Sequence, residues 1–161
     1  MGNLKFYEVE QKYVDYLTPY VPHMFRNATV QQRNTRKYIG IIYKIGMYEY
    51  FVPLSSFKAK HFKMKESVDF IKLKDLAVVN INNMIPVPLG KYTYVDISKV
   101  PDFKYKQLLQ AEYRELKKVE DKICKNAKVV YSHKKNNGNS TPLSKRCNDF
   151  ELLETLCANY R

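Results

Sequence analysis

Residues 38–54, YIGIIYKIGMYEYFVPL, decide the fold of this 161-residue chain. β-branched and aromatic residues dominate both halves of the stretch, and Gly46-Met47 stands between them. Residues of these types favour strands, and a short glycine-containing break between two apolar runs favours a tight turn. The stretch therefore predicts a β-hairpin with strands over residues 38–45 and 48–54.

The sequence on either side of this hairpin predicts a larger antiparallel sheet. A short β-like run at residues 5–9 precedes apolar residues that are spaced as on one face of a short helix, and residues 21–36 predict a long loop because they lack periodicity. After the hairpin, Asn, Pro and Gly residues separate four short apolar runs, at residues 68–73, 76–81, 84–87 and 92–97. Short strands at such regular spacing predict a compact, strongly bent antiparallel sheet or a small β-barrel.

The last third of the chain changes to a helical pattern. An apolar stripe with three- and four-residue spacing follows Pro101, which predicts a long amphipathic helix with this proline in its first turn. Residues 134–141 predict a polar linker, and Asn148 or Asp149 can cap a final helix. We therefore expect an α+β fold, a β-barrel with one short N-terminal helix and two C-terminal helices, in a single domain over residues 1–161.

The charge of the chain favours a polyanionic partner. Lys and Arg number 28 against 16 Asp and Glu, a formal net charge of +12. Between residues 21 and 65 there are nine basic residues and one acid, Glu49. A second basic excess begins at Lys117 and Lys118, in the long predicted helix. Nucleic acid is the leading candidate ligand, although a mixed charge run on a helix also serves simply as a solvated face.

Several functional classes lack their sequence signals. The chain has no phosphate-binding P-loop, no dinucleotide-binding glycine motif and no HExxH zinc motif. Three cysteines without CxxC spacing predict neither a disulfide framework nor a zinc cluster. We expect no cofactor and no metal, and, since no apolar run is long enough to span a bilayer, a cytoplasmic protein without membrane contact.

Groups suited to phosphate chemistry are concentrated directly after the hairpin. Ser55, Ser56, Lys58, Lys60 and His61 supply two hydroxyls, two ammonium groups and an imidazole within seven residues. Cleavage of RNA without a metal needs proton transfer and cationic stabilisation, because the 2′-hydroxyl of the substrate is itself the nucleophile. Taken alone, the segment also fits an ordinary solvated turn.

Five segments together resemble one protein family. They are KFYEVEQKYVDYL from residue 5, RKYIGIIYKI from residue 36, FVPLSSFKAKH from residue 51, KESVDFIKL from residue 65 and RCNDFELLE from residue 146. On these motifs, which cover most of the chain, the sequence resembles the ToxN/AbiQ/CptN toxins of type III toxin–antitoxin systems.

The resemblance implies a fold, an activity and a partner. The fold would be a compact barrel related to the Kid/MazF/CcdB toxins. The activity would be metal-independent cleavage of adenine-rich single-stranded RNA, leaving a 2′,3′-cyclic phosphate. The partner would be an RNA antitoxin of repeated pseudoknots, which the toxin processes and with which an otherwise monomeric toxin forms a closed complex. A role in abortive phage infection would follow.

Carried over by motif, the catalytic site comprises Tyr13, Arg36, Ser55, Ser56 and Lys58, with His61 nearby. Lys58 would stabilise the transition state, Ser56 and Ser55 would hydrogen-bond the phosphate or position the 2′-hydroxyl, and Arg36 would hold the phosphate bidentately. Tyr13 would orient the 2′-hydroxyl or stack on a base, or else pack on the sheet as a helix-face residue.

Further basic residues are expected to bind RNA. Arg36 and Lys37 compete for the phosphate-holding role. The remaining candidates are Lys60, His61, Lys63, Lys65, Lys117 and Lys118.

Two other functional classes stay open at this stage. One is a non-catalytic RNA-binding module, which the basic charge and the 14 tyrosines would suit. The other is a toxin that acts on a protein, of the gyrase-poisoning kind, built on a similar barrel.

Overall fold

The computed structural model describes residues 3–21 and 36–161. The long loop predicted over residues 21–36 therefore lies outside the described residues, except for its two end positions. The strands are β1 (Lys5–Val9), β2 (Tyr38–Ile45), β3 (Tyr48–Ser56), β4 (Phe70–Leu73), β5 (Ala77–Asn80), β6 (Ile85–Pro86) and β7 (Tyr92–Tyr94). The α-helices are α1 (Gln11–Leu17), α2 (Phe103–Asn137), α3 (Pro142–Arg146) and α4 (Phe150–Asn159).

The predicted hairpin is confirmed as the pair β2 and β3. The two strands pair antiparallel from Ile45 opposite Tyr48 to Tyr38 opposite Pro53, with an irregularity between Ile39 and Tyr43. Gly46 occupies the turn with φ 57°, a conformation that glycine adopts at little cost. The prediction succeeded because the sequence signal for a hairpin is local.

The sheet is antiparallel, but the predicted closed barrel is wrong for the described residues. The strand order is β4-β5-β3-β2-β1-β7, with β6 paired to β3, and the path ends at β4 and β7 without joining them. Helix α2 contacts both β2 and β4, and Leu116 and Ile123 of α2 belong to the same buried cluster as Ile39 and Ile71 of the sheet. A helix therefore covers this face, where a barrel would close on itself. The relationship to the Kid/MazF/CcdB fold remains a prediction.

The helical part is longer and more divided than expected. Asp102 caps α2 by accepting from the backbone N–H of Tyr105 (3.1 Å), and the helix continues to Asn137 before Gly138 adopts φ 55°. The first four residues of the predicted linker are thus helical. A third C-terminal helix, the five-residue α3, precedes α4, which Asp149 caps. In the described ranges no helix is long and apolar enough to cross a membrane.

Residues 146–150, part of the last segment of the resemblance, hold the C-terminal helices against the sheet. The guanidinium of Arg146 donates through Nε and Nη2 to the carboxylate of Asp69 at 2.6 and 2.8 Å. The side-chain amide of Asn148 donates to the carbonyl of Met84 at 3.1 Å. Phe150 stacks on Tyr131 with ring centroids 5.6 Å apart. These contacts therefore attach the C-terminal helices to the chain next to β4 and β6 and to α2.

Candidate active site

Strands β3 and β5, with β4 paired beside β5, bring together the residues of a small depression. Ser55 of β3 pairs with Val78 of β5, Val78 pairs with Lys72 of β4, and Asn80 pairs with Phe70. Residues directly opposite one another, and residues two apart on one strand, share a face of the sheet. The depression holds about 120 Å³. It is lined by Ser55, Ser56, Lys58, Lys60, His61, Val78 and Asn80.

The two serines end β3 and differ in environment. Ser55 is 9% exposed, and its Oγ has no hydrogen-bond partner among the described residues. Ser56 is exposed. A buried hydroxyl without a partner carries a free-energy cost, so Ser55 is an available hydrogen-bonding group at the wall of the depression.

His61 fixes the backbone at Lys58. Its Nδ1 accepts a hydrogen bond from the backbone N–H of Lys58 at 2.8 Å, and its own backbone N–H donates to the carbonyl of Lys58 at 2.9 Å. The ring packs against Phe57 and Phe70, with centroids 5.4 and 5.7 Å away. Desolvation by burial, and then the charges of Lys60, Lys58 and Lys72, lower the pKa of His61.

These contacts determine what His61 can do chemically. An Nδ1 that accepts from a backbone N–H carries no proton, so the neutral ring holds its proton on Nε2. That ring can donate a hydrogen bond to a phosphate oxygen, but it cannot accept a proton without losing the bond to Lys58. His61 is therefore suited to orient Lys58 and to donate, and unsuited to act as a general base.

Arg36 and Lys37 occupy different environments. Nη1 of Arg36 donates to the carbonyl of Leu54 at 3.0 Å, which places the guanidinium beside the residue that precedes Ser55. Burial lowers the pKa of Arg36. Lys37 is only 7% exposed, and its Nζ lies 2.7 Å from Glu8 Oε2. The geometry favours Arg36 over Lys37 as the cation near the depression.

The structure places Tyr13 away from this depression. The residue is 0% exposed in a second buried cluster, where its hydroxyl donates to the carbonyl of Pro86 at 2.5 Å. Its ring contacts Tyr16 and Tyr160, and burial raises the pKa of its hydroxyl. The geometry favours the alternative that the sequence left open, a tyrosine of α1 packed in the core.

The other basic candidates form two groups. Lys60, Lys63 and Lys65 are exposed on the segment that follows β3. On α2, Lys117 pairs with Glu120 at 2.8 Å and Lys118 pairs with Glu115 at 2.9 Å. The ammonium groups of the loop are thus the more available to an anionic ligand.

The contribution of β5 to the site was not identified from the sequence. Val78 and Asn80 lie outside the five segments of the resemblance, and only the pairing of β3 with β5 brings them beside Ser55. No carboxylate lines the depression among the described residues, and no group of three or more His, Cys, Asp or Glu that could hold a metal ion is found there.

A cationic depression with two serines at its edge suits a phosphate group, and this defines a class of proteins that handle polyanions. The family model for the toxin ToxN of type III toxin–antitoxin systems matches residues 5–158. The endoribonuclease ToxN of Bacillus thuringiensis subsp. kurstaki is 31% identical over 167 residues, which cover 99% of this chain and 85% of that protein. The chain belongs to the ToxN toxin family of type III toxin–antitoxin systems.

Two solved structures share this fold. One belongs to a bacterial type III toxin–antitoxin system in which a non-coding RNA pseudoknot selectively inhibits the toxin. It matches with a TM-score of 0.80 and 28% identity, over 99% of this chain and 98% of that one. The other is AbiQ, a lactococcal anti-phage endoribonuclease of a type III system, with a TM-score of 0.79, 26% identity, and coverage of 98% and 97%.

Proposed function

We propose that this protein is a metal-independent endoribonuclease toxin that cuts adenine-rich single-stranded RNA. The observation that carries the proposal is the depression that joins Ser55, Ser56, Lys58 and His61, in a chain whose relatives are endoribonucleases. Among the residues that the structure describes, the lining offers hydroxyl, ammonium and imidazole groups and no carboxylate. Such a set suits transesterification by the RNA itself better than it suits a magnesium site.

The reaction breaks one P–O bond and forms another. The 2′-oxygen of the substrate attacks the adjacent phosphorus and loses its proton, while the 5′-oxygen leaves and gains one. The products are a 2′,3′-cyclic phosphate and a 5′-hydroxyl.

The side chains divide the work by their chemistry. The ammonium of Lys58 and the guanidinium of Arg36 stabilise the negative charge on the non-bridging oxygens. Ser56 hydrogen-bonds the phosphate, and the unpartnered hydroxyl of Ser55 accepts from the 2′-hydroxyl. His61 keeps the Lys58 backbone in place and donates from Nε2.

Catalysis can be separated from binding by one substitution. Lys58→Ala should slow cleavage of a single-stranded adenine-rich RNA by about 10²–10³-fold and retain binding of the same RNA in a gel-shift assay. Equal loss of binding and cleavage would favour a disrupted binding surface over a missing catalytic group. Binding without any cleavage by the wild-type protein would instead favour a non-catalytic RNA-binding module.

We further propose that a pseudoknot-containing RNA is the antitoxin of this protein and covers the depression. A relative of the same fold comes from a system in which a non-coding RNA pseudoknot inhibits the toxin. The basic excess of this chain exceeds what one scissile phosphate needs, which favours an extended contact with phosphates.

Two triple variants test which surface contacts that RNA. The loop variant replaces Lys60, Lys63 and Lys65 with Ser. The helix variant replaces Lys117, Lys118 and Lys122 with Ser, and of these Lys122 pairs with Glu66 at 3.1 Å. Both should weaken binding of a pseudoknot repeat and flatten its salt dependence, because each phosphate contact releases counterions. The loop variant should lose more, since the three helix ammonium groups already have carboxylate partners. Wild-type affinity and salt slope in the helix variant would place α2 outside the RNA interface.

A role in phage defence is the corresponding proposal for biology. It rests on the likeness to AbiQ, which is an anti-phage endoribonuclease. Phage should form plaques less efficiently on a host that carries the toxin with its antitoxin than on a host that carries the Lys58→Ala form with the same antitoxin. Equal plating would contradict this role and leave the cleavage activity untouched.

A further inference from the structure

A second depression adjoins the first and differs from it in chemistry. It holds about 350 Å³, against about 120 Å³ for the first. Asn80, the last residue of β5, lines both. The two depressions therefore border the same residue, and a ligand that fills both lies against Asn80.

The second depression is nearly neutral. Asp69, a buried acid of its lining, accepts both hydrogen bonds of the Arg146 guanidinium and a third from Ser67 at 2.9 Å. Among the described lining residues, this ion pair leaves Lys65, at the exposed edge, as the remaining charge. A phosphate is thus better served by the first depression, and an uncharged polar group by the second.

The walls of the second depression combine apolar and polar side chains. Met64, which is exposed, and Phe70, which is buried, supply the apolar part. The side-chain amide of Asn80 makes no hydrogen bond to the described residues, so one donor and one acceptor are available. A nucleobase presents the same combination, a face that stacks and an edge that hydrogen-bonds.

We propose that this second depression is a nucleobase pocket, in which Asn80 reads the base of a nucleotide beside the scissile phosphate. The inference rests on the proposed endoribonuclease function. A base and its phosphate are joined through a single ribose. One nucleotide can therefore place its phosphate in the first depression and its base in the second, because both depressions border Asn80. An Asn amide pairs with a neighbouring donor and acceptor, the pattern of adenine at N6 and N7, so adenine is the expected base.

The test compares cleavage of short RNAs that differ only in one base beside the cut, with each of the four bases and with an abasic nucleotide at that position. Wild-type protein should cut the adenine substrate on the order of tenfold faster, as kcat/KM, than the others. Asn80→Ala should lower the rate for adenine by on the order of tenfold, to the level of the other three bases, and so abolish the preference. The matched control, Asn159→Ala at the exposed end of α4, should keep the wild-type preference.

A second measurement covers the case in which Asn80→Ala does not fold. A 2′-deoxy RNA analogue that carries 2-aminopurine at the same position should lose fluorescence on binding the wild-type protein, and lose less on binding Met64→Ala, because stacking quenches the probe. A base preference unchanged in Asn80→Ala, or an equal fall in rate for every substrate, would overturn the nucleobase pocket. Failure of the wild-type protein to cut any of the RNAs would overturn the proposed function as well, which distinguishes the two failures.

Discussion

Removing Arg146 should destabilise the protein more than removing its partner Asp69. The two side chains differ in exposure: that of Arg146 is 46% exposed and that of Asp69 only 3%. Arg146→Ala leaves a carboxylate buried without its cation, and breaking a buried pair in this way costs about 3–5 kcal/mol. Asp69→Ala leaves a guanidinium that can reach water, so we expect a loss of about 1–3 kcal/mol in the free energy of unfolding.

The difference in stability between Arg146→Ala and the wild type should depend on pH in a defined direction. Burial acts to raise the pKa of Asp69, but the hydrogen bonds from Arg146 and Ser67 hold it below its ordinary value of 3.8. The wild-type carboxylate therefore contributes stability above that value and loses it as the pH falls through the lowered pKa. In Arg146→Ala the guanidinium no longer opposes the effect of burial, although the hydrogen bond from Ser67 remains, so the pKa of Asp69 rises. The deficit in stability relative to wild type should then shrink as the pH falls through the raised pKa.

Urea denaturation at neutral pH and at about pH 5, where the protein still has most of its carboxylates ionised, measures both effects. The control is Arg114→Ala, an exposed arginine of α2, which should change the free energy of unfolding by less than about 0.5 kcal/mol. The double variant should be more stable than Arg146→Ala alone, because it removes the unpaired charge. A larger loss of stability in Asp69→Ala than in Arg146→Ala, or a deficit that grows at lower pH, would contradict this prediction.

Three further predictions concern single residues. Gly40→Ala should lower the free energy of unfolding by about 1–3 kcal/mol in the same assay, because an added Cβ would clash with the ring of Phe51. Tyr13→Phe should cut RNA at the wild-type rate and lose about 1 kcal/mol of stability, since its hydroxyl bonds a buried carbonyl; a large fall in rate with an intact fold would return Tyr13 to the catalytic site. Cleavage by the wild-type protein should decline as the pH falls through the pKa of His61, which lies below the ordinary 6.5. The reason is that a protonated Nδ1 cannot accept the hydrogen bond from the backbone N–H of Lys58. His61→Ala should cut more slowly at neutral pH and should not show this decline.

The sequence predicted those parts of the fold whose signals are local. The β2–β3 hairpin and most of α2 follow from spacing and turn residues within short windows. The cap of α4 was narrowed to Asn148 or Asp149, and the structure has it at Asp149. Closure of a barrel depends on which distant strands pair, and here β4 and β7 do not. Periodicity also could not decide between a packed and a catalytic Tyr13, because a tyrosine on a helix face fits both.

The same distinction holds for the candidate site. Ser55, Ser56, Lys58 and His61 were predicted as a group because they are close in sequence, and they line one depression. Asn80 was missed because only the strand register brings it there.

The most direct test of the account is cleavage of an adenine-rich single-stranded RNA by the purified protein in excess EDTA, with the ends of the products mapped. We expect full activity and products with 2′,3′-cyclic phosphate and 5′-hydroxyl ends. Lys58→Ala should be slower by about 10²–10³-fold, the usual effect of removing a group that stabilises a developing oxyanion. Lys12→Ala, an exposed lysine of α1, should cut like the wild type. Undiminished cleavage by Lys58→Ala, or activity lost in EDTA and restored by magnesium, would contradict the account.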